Sequence, residues 1–157
     1  MKKTIEILIE FIAFFALIFI FVGLPLVINW YDSSYLPSRY PKGTKIINLT
    51  AKVSQNSCLW TLEKVNSFNY WWKKFKFAEE ISVREGDKVV FRVHSADVLH
   101  SFAIPRFRIG PYEISAGKVK EITFDARREG SFKYLCWLWC SDCHGDLKGR
   151  VIVSPSD

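Results

Sequence analysis

Methionine is almost missing from this chain: Met1 is the only one in 157 residues. With no internal thioether, a metal site here lacks the Met that is the usual weak extra ligand. Histidine is scarce too, with His94, His100 and His144 as the whole supply. Charge is absent from Phe11 to Ile28, which is incompatible with a water-facing surface for that stretch. Internal repeats and low-complexity tracts are lacking, which excludes a solenoid. After residue 31 no helical period of useful length appears, which excludes an α-helical domain.

What is present divides into two regions. "FIAFFALIFIFVGLPLVI", residues 11–28, is about the length needed to cross a hydrocarbon core as a helix. Trp30 and Tyr31 follow it, where amphipathic rings suit a membrane interface. Lys2 and Lys3 give a basic start, but no small-x-small cleavage site follows the run, so it reads as a retained anchor and not as a signal peptide. Pro25 predicts a kink near the outer end. Glu6 and Glu10 share a face four residues apart. Glu10 borders the apolar run, either snorkelling to the inner surface or serving a function there. The lysine pair favours an inner N-terminus, although Arg39, Lys42 and Lys45 beyond the span weaken the bias.

Residues 32–44 read as a polar linker, and 45–157 as one domain of short strands. "KIINLTAKV", "SCLWTLEKV", "EISV", "KVVFRV", "VLHSFAI", "KVKEITF", "SFKYLC" and "GRVIV" are rich in β-branched and aromatic residues. "REGD", "RIGP", "SAG" and "RREG" between them are turn chemistry. About eight strands in about 110 residues predict an all-β domain, a sandwich with Greek-key connections, behind one transmembrane helix at residues 1–31. "SFNYWWKKFKF" fits either an aromatic strand or an inserted loop. The domain keeps the whole net charge of +6, because the anchor's Lys2 and Lys3 balance Glu6 and Glu10. Nucleic acid is excluded as a partner by the exported, anchored setting. Membrane lipid of anionic type or an acidic protein fits the excess, as does a plain solvated surface.

Cys58, Cys136, Cys140 and Cys143 are the only cysteines, and the last three crowd into "LCWLWCSDCHGDLKGRVIV". Cut from Cys136, the segment gives CxxxCxxxH, ending at His144. Cut from Cys140, it gives CxxCH at 140–144, the attachment sequence of a c-type haem. The copper reading asks for soft thiolates and imidazoles in a rigid, dry pocket, so that little moves when an electron arrives. A sandwich supplies that by sending His100 from one strand end and Cys136, Cys140 and His144 from a loop between its last two strands. Two bridging thiolates and two capping imidazoles describe a dinuclear copper centre. Cys143 remains open as a third soft ligand, a redox-labile bystander, or half of a disulfide with Cys58.

"SADVLHSFAIP" followed by "GSFKYLCWLWC...H" resembles the CuA domain of cytochrome c oxidase subunit II over roughly residues 79–153. The segment "CWLWCSDCHGDLKGRVIV" is also similar to the CuA loop of nitrous oxide reductase, and the single helix most resembles subunit II of the B-type haem-copper oxygen reductases. The resemblance implies a cupredoxin-like fold and two copper ions held by His100, Cys136, Cys140 and His144, with a backbone carbonyl from Leu138 or Trp139 as a weak ligand. Partners implied are a haem-containing oxidase subunit I and a c-type cytochrome or other soluble electron donor. The place implied is a bacterial or archaeal cell membrane, single-pass, with the copper domain on the outer side. Glu10 becomes a candidate for a carboxylate at the mouth of a proton channel. The family's Met, three residues after the loop histidine, is here Leu147, a change expected to raise the redox potential without abolishing the site.

The expectation is therefore an electron-transfer subunit. A stand-alone copper carrier or copper chaperone is the alternative, and a c-type cytochrome the next. The haem reading leaves Cys136 and "DVLHSF" unexplained and finds no methionine for a sixth ligand. Asp97 is expected to orient His100 through its free N–H. Trp139 is expected to face the electron donor, and His94 to be a strand-end polar residue.

Overall fold

The computed structural model describes residues 2–34, 37–54, 57–65 and 69–156. Contacts divide the chain into two units, residues 1–42 and 43–157. The first is helical: α1 spans Lys2–Ile18 and α2 spans Leu24–Ser34, joined by a π-helical turn at Phe19–Gly23. Lys3–Ile28 is long and apolar enough to cross a membrane, and its described side chains are not buried. The widened turn stands immediately before Pro25, with the Leu24 N–H reaching back to the Phe19 carbonyl. Pro25 has no N–H to give to the preceding turn and its ring crowds that turn's carbonyl, and one extra residue per turn relieves both. At the place where Pro25 predicts a kink, the helix carries a π turn. The helix also runs three residues past the expected boundary at Tyr31, to Ser34.

The second unit is the sandwich. Its strands are β1 (Lys45–Ser54), β2 (Ser57–Thr61), β3 (Glu80–Arg84), β4 (Lys88–Ser95), β5 (His100–Ile104), β6 (Ile109–Ile114), β7 (Val119–Asp125), β8 (Gly130–Leu135) and β9 (Lys148–Ser154). One sheet has the order β2-β1-β4-β7 and the other β3-β9-β8-β5-β6. The pairs β1–β4 and β3–β9 are parallel, and the rest antiparallel. Alternation places Ile122 and Phe124 of β7, Phe132 and Tyr134 of β8, and Val151 and Val153 of β9 in the core. Phe91 stacks on Phe124 at 5.5 Å, while Trp60 meets both Phe102 and Tyr134 edge-on. Each such ring, fully buried, contributes roughly 1.5–3 kcal/mol.

Two features depart from the sequence reading. "RIGP" was expected to be a turn, yet Gly110 and Pro111 lie inside β6. A proline is tolerated there because β6 stands at the edge of its sheet, bonded among the described strands to β5 alone, so the missing N–H leaves no ladder donor wanting. The stretch "SFNYWWKKFKF" has no strand among its described residues and connects β2 to β3 as a loop; Ser67 and Phe68 lie outside the described residues.

Gly149 of β9 sits opposite Tyr134 of β8. A Cβ on Gly149 would come within 2.4 Å of that ring and 2.7 Å of the Ala78 carbonyl oxygen, to which the Tyr134 hydroxyl donates. The glycine of the "GR" step is thus required by the approach of a core tyrosine.

Candidate metal centre

β5 and β8 register at Ala103↔Leu135, and the chain leaves β8 just beyond. The loop from Cys136 to Leu147 closes on itself through the Cys136 N–H, which donates to the Leu147 carbonyl at 2.9 Å. His100 and Ser101, at the start of β5, face this loop. The ligand atoms of His100, Cys136 and Cys140 all lie within 4.8 Å of one another. His144 is not in that trio; its Nδ1 lies 3.7 Å from the Cys140 sulfur, on a short 3-10 turn. The four expected ligands therefore meet at one end of the sandwich, three tightly and the fourth alongside.

His100 is completely buried. Its Nε2 lies 2.8 Å from Asp97 Oδ1, while its Nδ1 is buried with no hydrogen-bond partner among the described residues. A buried ring nitrogen without a partner is costly unless something accepts its lone pair. Two thiols within 4.8 Å of a nitrogen of that ring make a soft, thiolate-and-imidazole donor set, and such a set fits copper. Asp97 also accepts the backbone N–H groups of Val53 and Val98. Burial alone would raise its pKa, but His100 and the two N–H groups outweigh that and hold it below the usual carboxylate value.

The two thiols differ. Burial pushes Cys136 up, yet His100 and the Ser101 N–H and hydroxyl outweigh it and bring the thiol down to about 6. Burial and the neighbouring Cys136 charge push Cys140 up to about 11. For His100, burial opposes charge, but Asp97 and Cys136 prevail and raise it to about 9. Protons on His100 and Cys140 have to leave before either side chain donates to a metal.

Ser101 was not singled out from the sequence. Its hydroxyl oxygen accepts the N–H groups of Trp137 and Leu138 at 2.7 and 3.0 Å, and its own N–H donates to the Cys136 sulfur at 3.3 Å. One side chain thereby fixes the first half of the loop, and its place next to His100 was the available signal. The Cys136 thiol donates to the Leu138 carbonyl at 3.3 Å, so that carbonyl points at the sulfur. Trp137 and Trp139 project outward, 61% and 71% exposed, and the Trp139 ring lies 5.9 Å from His144.

Cys143 is joined to Cys58 in a disulfide. Of the roles left open by the sequence, this removes Cys143 as a third ligand, because it has no thiolate to give. It also removes the haem reading, which needs Cys140 and Cys143 both free to form thioethers. Leu147 is buried, at 1% exposure, and packs in the core cluster. His94 is partly buried and outside the trio. Glu10 stands exposed on α1.

A model of the family described as cytochrome c oxidase subunit II, periplasmic domain, matches residues 40–153. Cytochrome c oxidase subunit 2 of Alkalihalophilus pseudofirmus is 28% identical over 100 residues, 60% of this chain and 29% of that protein. The nitrous-oxide reductase of Stutzerimonas stutzeri is 30% identical over 82 residues, 50% of this chain and 13% of that protein. Among solved structures, the periplasmic domain of subunit II of cytochrome oxidase of Bradyrhizobium japonicum is similar with a TM-score of 0.50 at 23% identity, covering 74% of this chain and 88% of that one. This last likeness bears on the fold, a cupredoxin-like sandwich. The chain spans less than two thirds of the length of the curated relatives it matches.

Proposed function

The chain belongs to the cytochrome c oxidase subunit II family, and from that premise we propose that it is the anchored subunit through which a haem-copper terminal oxidase receives its electrons. His100, Cys136, Cys140 and His144 would hold a dinuclear CuA centre, with the Leu138 carbonyl as a weak further ligand. Such a centre would supply a one-electron store held by soft thiolates and imidazoles. The observation that carries this reading is the buried His100 ring grouped within 4.8 Å with two free thiols, its Nε2 taken by Asp97 and its Nδ1 without a hydrogen bond among the described residues.

The chain's own residues do the rest. Asp97 fixes the ring orientation of His100, and Ser101 fixes the backbone around Cys136. Exposed Trp137 and Trp139 form the face that meets a c-type cytochrome or other soluble donor, where rigid aromatic surface binds with little entropic cost. The electron leaves for haem in oxidase subunit I. No substrate bond is made or broken on this chain. The anchor spans a bacterial or archaeal membrane once, with the copper domain outside. Glu10, at the edge of the apolar run, is the candidate for the mouth of a proton channel.

The test is purification of the full chain from membranes in mild detergent, followed by metal analysis. Two coppers per chain and co-purifying haem subunits are expected. A chain isolated repeatedly on its own, losing copper rapidly to a chelator, supports the chaperone alternative instead.

A further inference from the structure

The β2–β3 loop brings Tyr70 to Asp97. The Tyr70 hydroxyl oxygen lies 2.7 Å from the Val53 carbonyl oxygen and 3.1 Å from Asp97 Oδ2, so its single proton is shared between those two acceptors. Asp97 uses its other oxygen for His100 Nε2 and the Val98 N–H. A continuous chain of contacts therefore runs from the aromatic loop, through one carboxylate, to the imidazole grouped with the Cys136 and Cys140 thiols. The ring is held from behind: Lys52 of β1, itself buried, places its ammonium 4.4 Å from the Tyr70 ring centroid and 4.9 Å from that of Phe75.

We infer that Tyr70 is a positioning residue for the metal centre, setting through Asp97 how strongly His100 donates electron density; the inference rests on His100 being a copper ligand. The physical basis is competition for one carboxylate. Each hydrogen bond that Asp97 accepts disperses its negative charge and weakens the pull it exerts on the His100 Nε2–H. Without the phenol, Asp97 is a stronger acceptor, the imidazole gains anionic character, and its Nδ1 becomes a better donor. A better donor favours the oxidised metal. Tyr70 remains protonated and donating throughout the physiological range, because burial and then the Asp97 charge raise its pKa to about 12.

Tyr70→Phe in the full-length chain removes the hydroxyl and keeps the ring over Lys52. In the copper-loaded protein the reduction equilibrium is expected to shift about threefold toward the oxidised form, about 30 mV downward at ~59 mV per tenfold change. In the metal-free protein the His100 Nε2–H proton resonance is expected to move downfield as its hydrogen bond strengthens. Phe75→Leu disturbs the same loop without touching the hydroxyl, so it lowers the melting temperature and leaves potential and resonance in place. An unchanged potential and resonance in Tyr70→Phe overturn the inference, as does an equal shift in Phe75→Leu. A protein that takes up no copper yet shows the resonance shift refutes the copper reading and leaves the Tyr70 to His100 link standing.

Discussion

His100 and His144 bring the same imidazole to the site from opposite kinds of structure. His100 opens a β-strand, is completely buried, and is clamped by Asp97. His144 sits on a 3-10 turn in a loop, partly buried, beside a tryptophan that is mostly in water. The cysteines repeat the division, Cys136 being buried against Ser101 and Cys140 half-buried. One half of the centre is built by the sandwich and the other by a loop that needs external fixing. The Cys58–Cys143 disulfide provides that fixing, tying the residue next to His144 to β2.

Removing a sulfur from either half should erase the division altogether. Cys136→Ser or Cys140→Ser is expected to lose the copper complement and its colour, read by metal analysis and visible absorption. Next in size is the tie on the loop half. Cys58→Ser opens a cross-link spanning a sequence separation of 85 residues and is expected to cost roughly 2–4 kcal/mol in urea unfolding. Its metal-free protein should keep the His100 resonances while those of His144 broaden, and broadening of both would show that the halves are not independent.

On the sandwich half, Asp97→Asn keeps the shape of the side chain and removes its charge. Copper affinity is expected to fall about 10–100-fold in competition with a chelator. The outermost part of the loop half is Trp139, where Trp139→Ala should slow reduction by a c-type cytochrome while unfolding free energy stays within about 0.5 kcal/mol. The smallest effect is expected from Leu147→Met, which restores a thioether at the base of the loop. A weak axial ligand tunes more than it binds, so the potential should fall by less than the ~59 mV of a tenfold change.

The same division governs how much could be read before the fold was known. Strands such as β4, β7 and β8 carry alternating apolar residues facing one core, a local pattern that a sequence displays directly. β6 does not, since Gly110 and Pro111 speak for a turn and only its place at a sheet edge makes them acceptable. His100 and the loop ligands were visible because metal donors of the right softness fell at loop spacing. Ser101 and Tyr70 were not, because an alcohol's role depends on which backbone groups the fold brings within 3 Å of it. For Cys143 the letters allowed ligand, bystander or disulfide, and the choice rested on where β2 places Cys58.

The most direct measurement is electron paramagnetic resonance of the full-length protein purified with its metal, with copper counted per chain on the same sample. Two coppers per chain, with one unpaired electron coupled equally to both nuclei, is the result expected of paired thiolates closed by His100 and His144. A signal from a single copper, or a haem spectrum in its place, would contradict it.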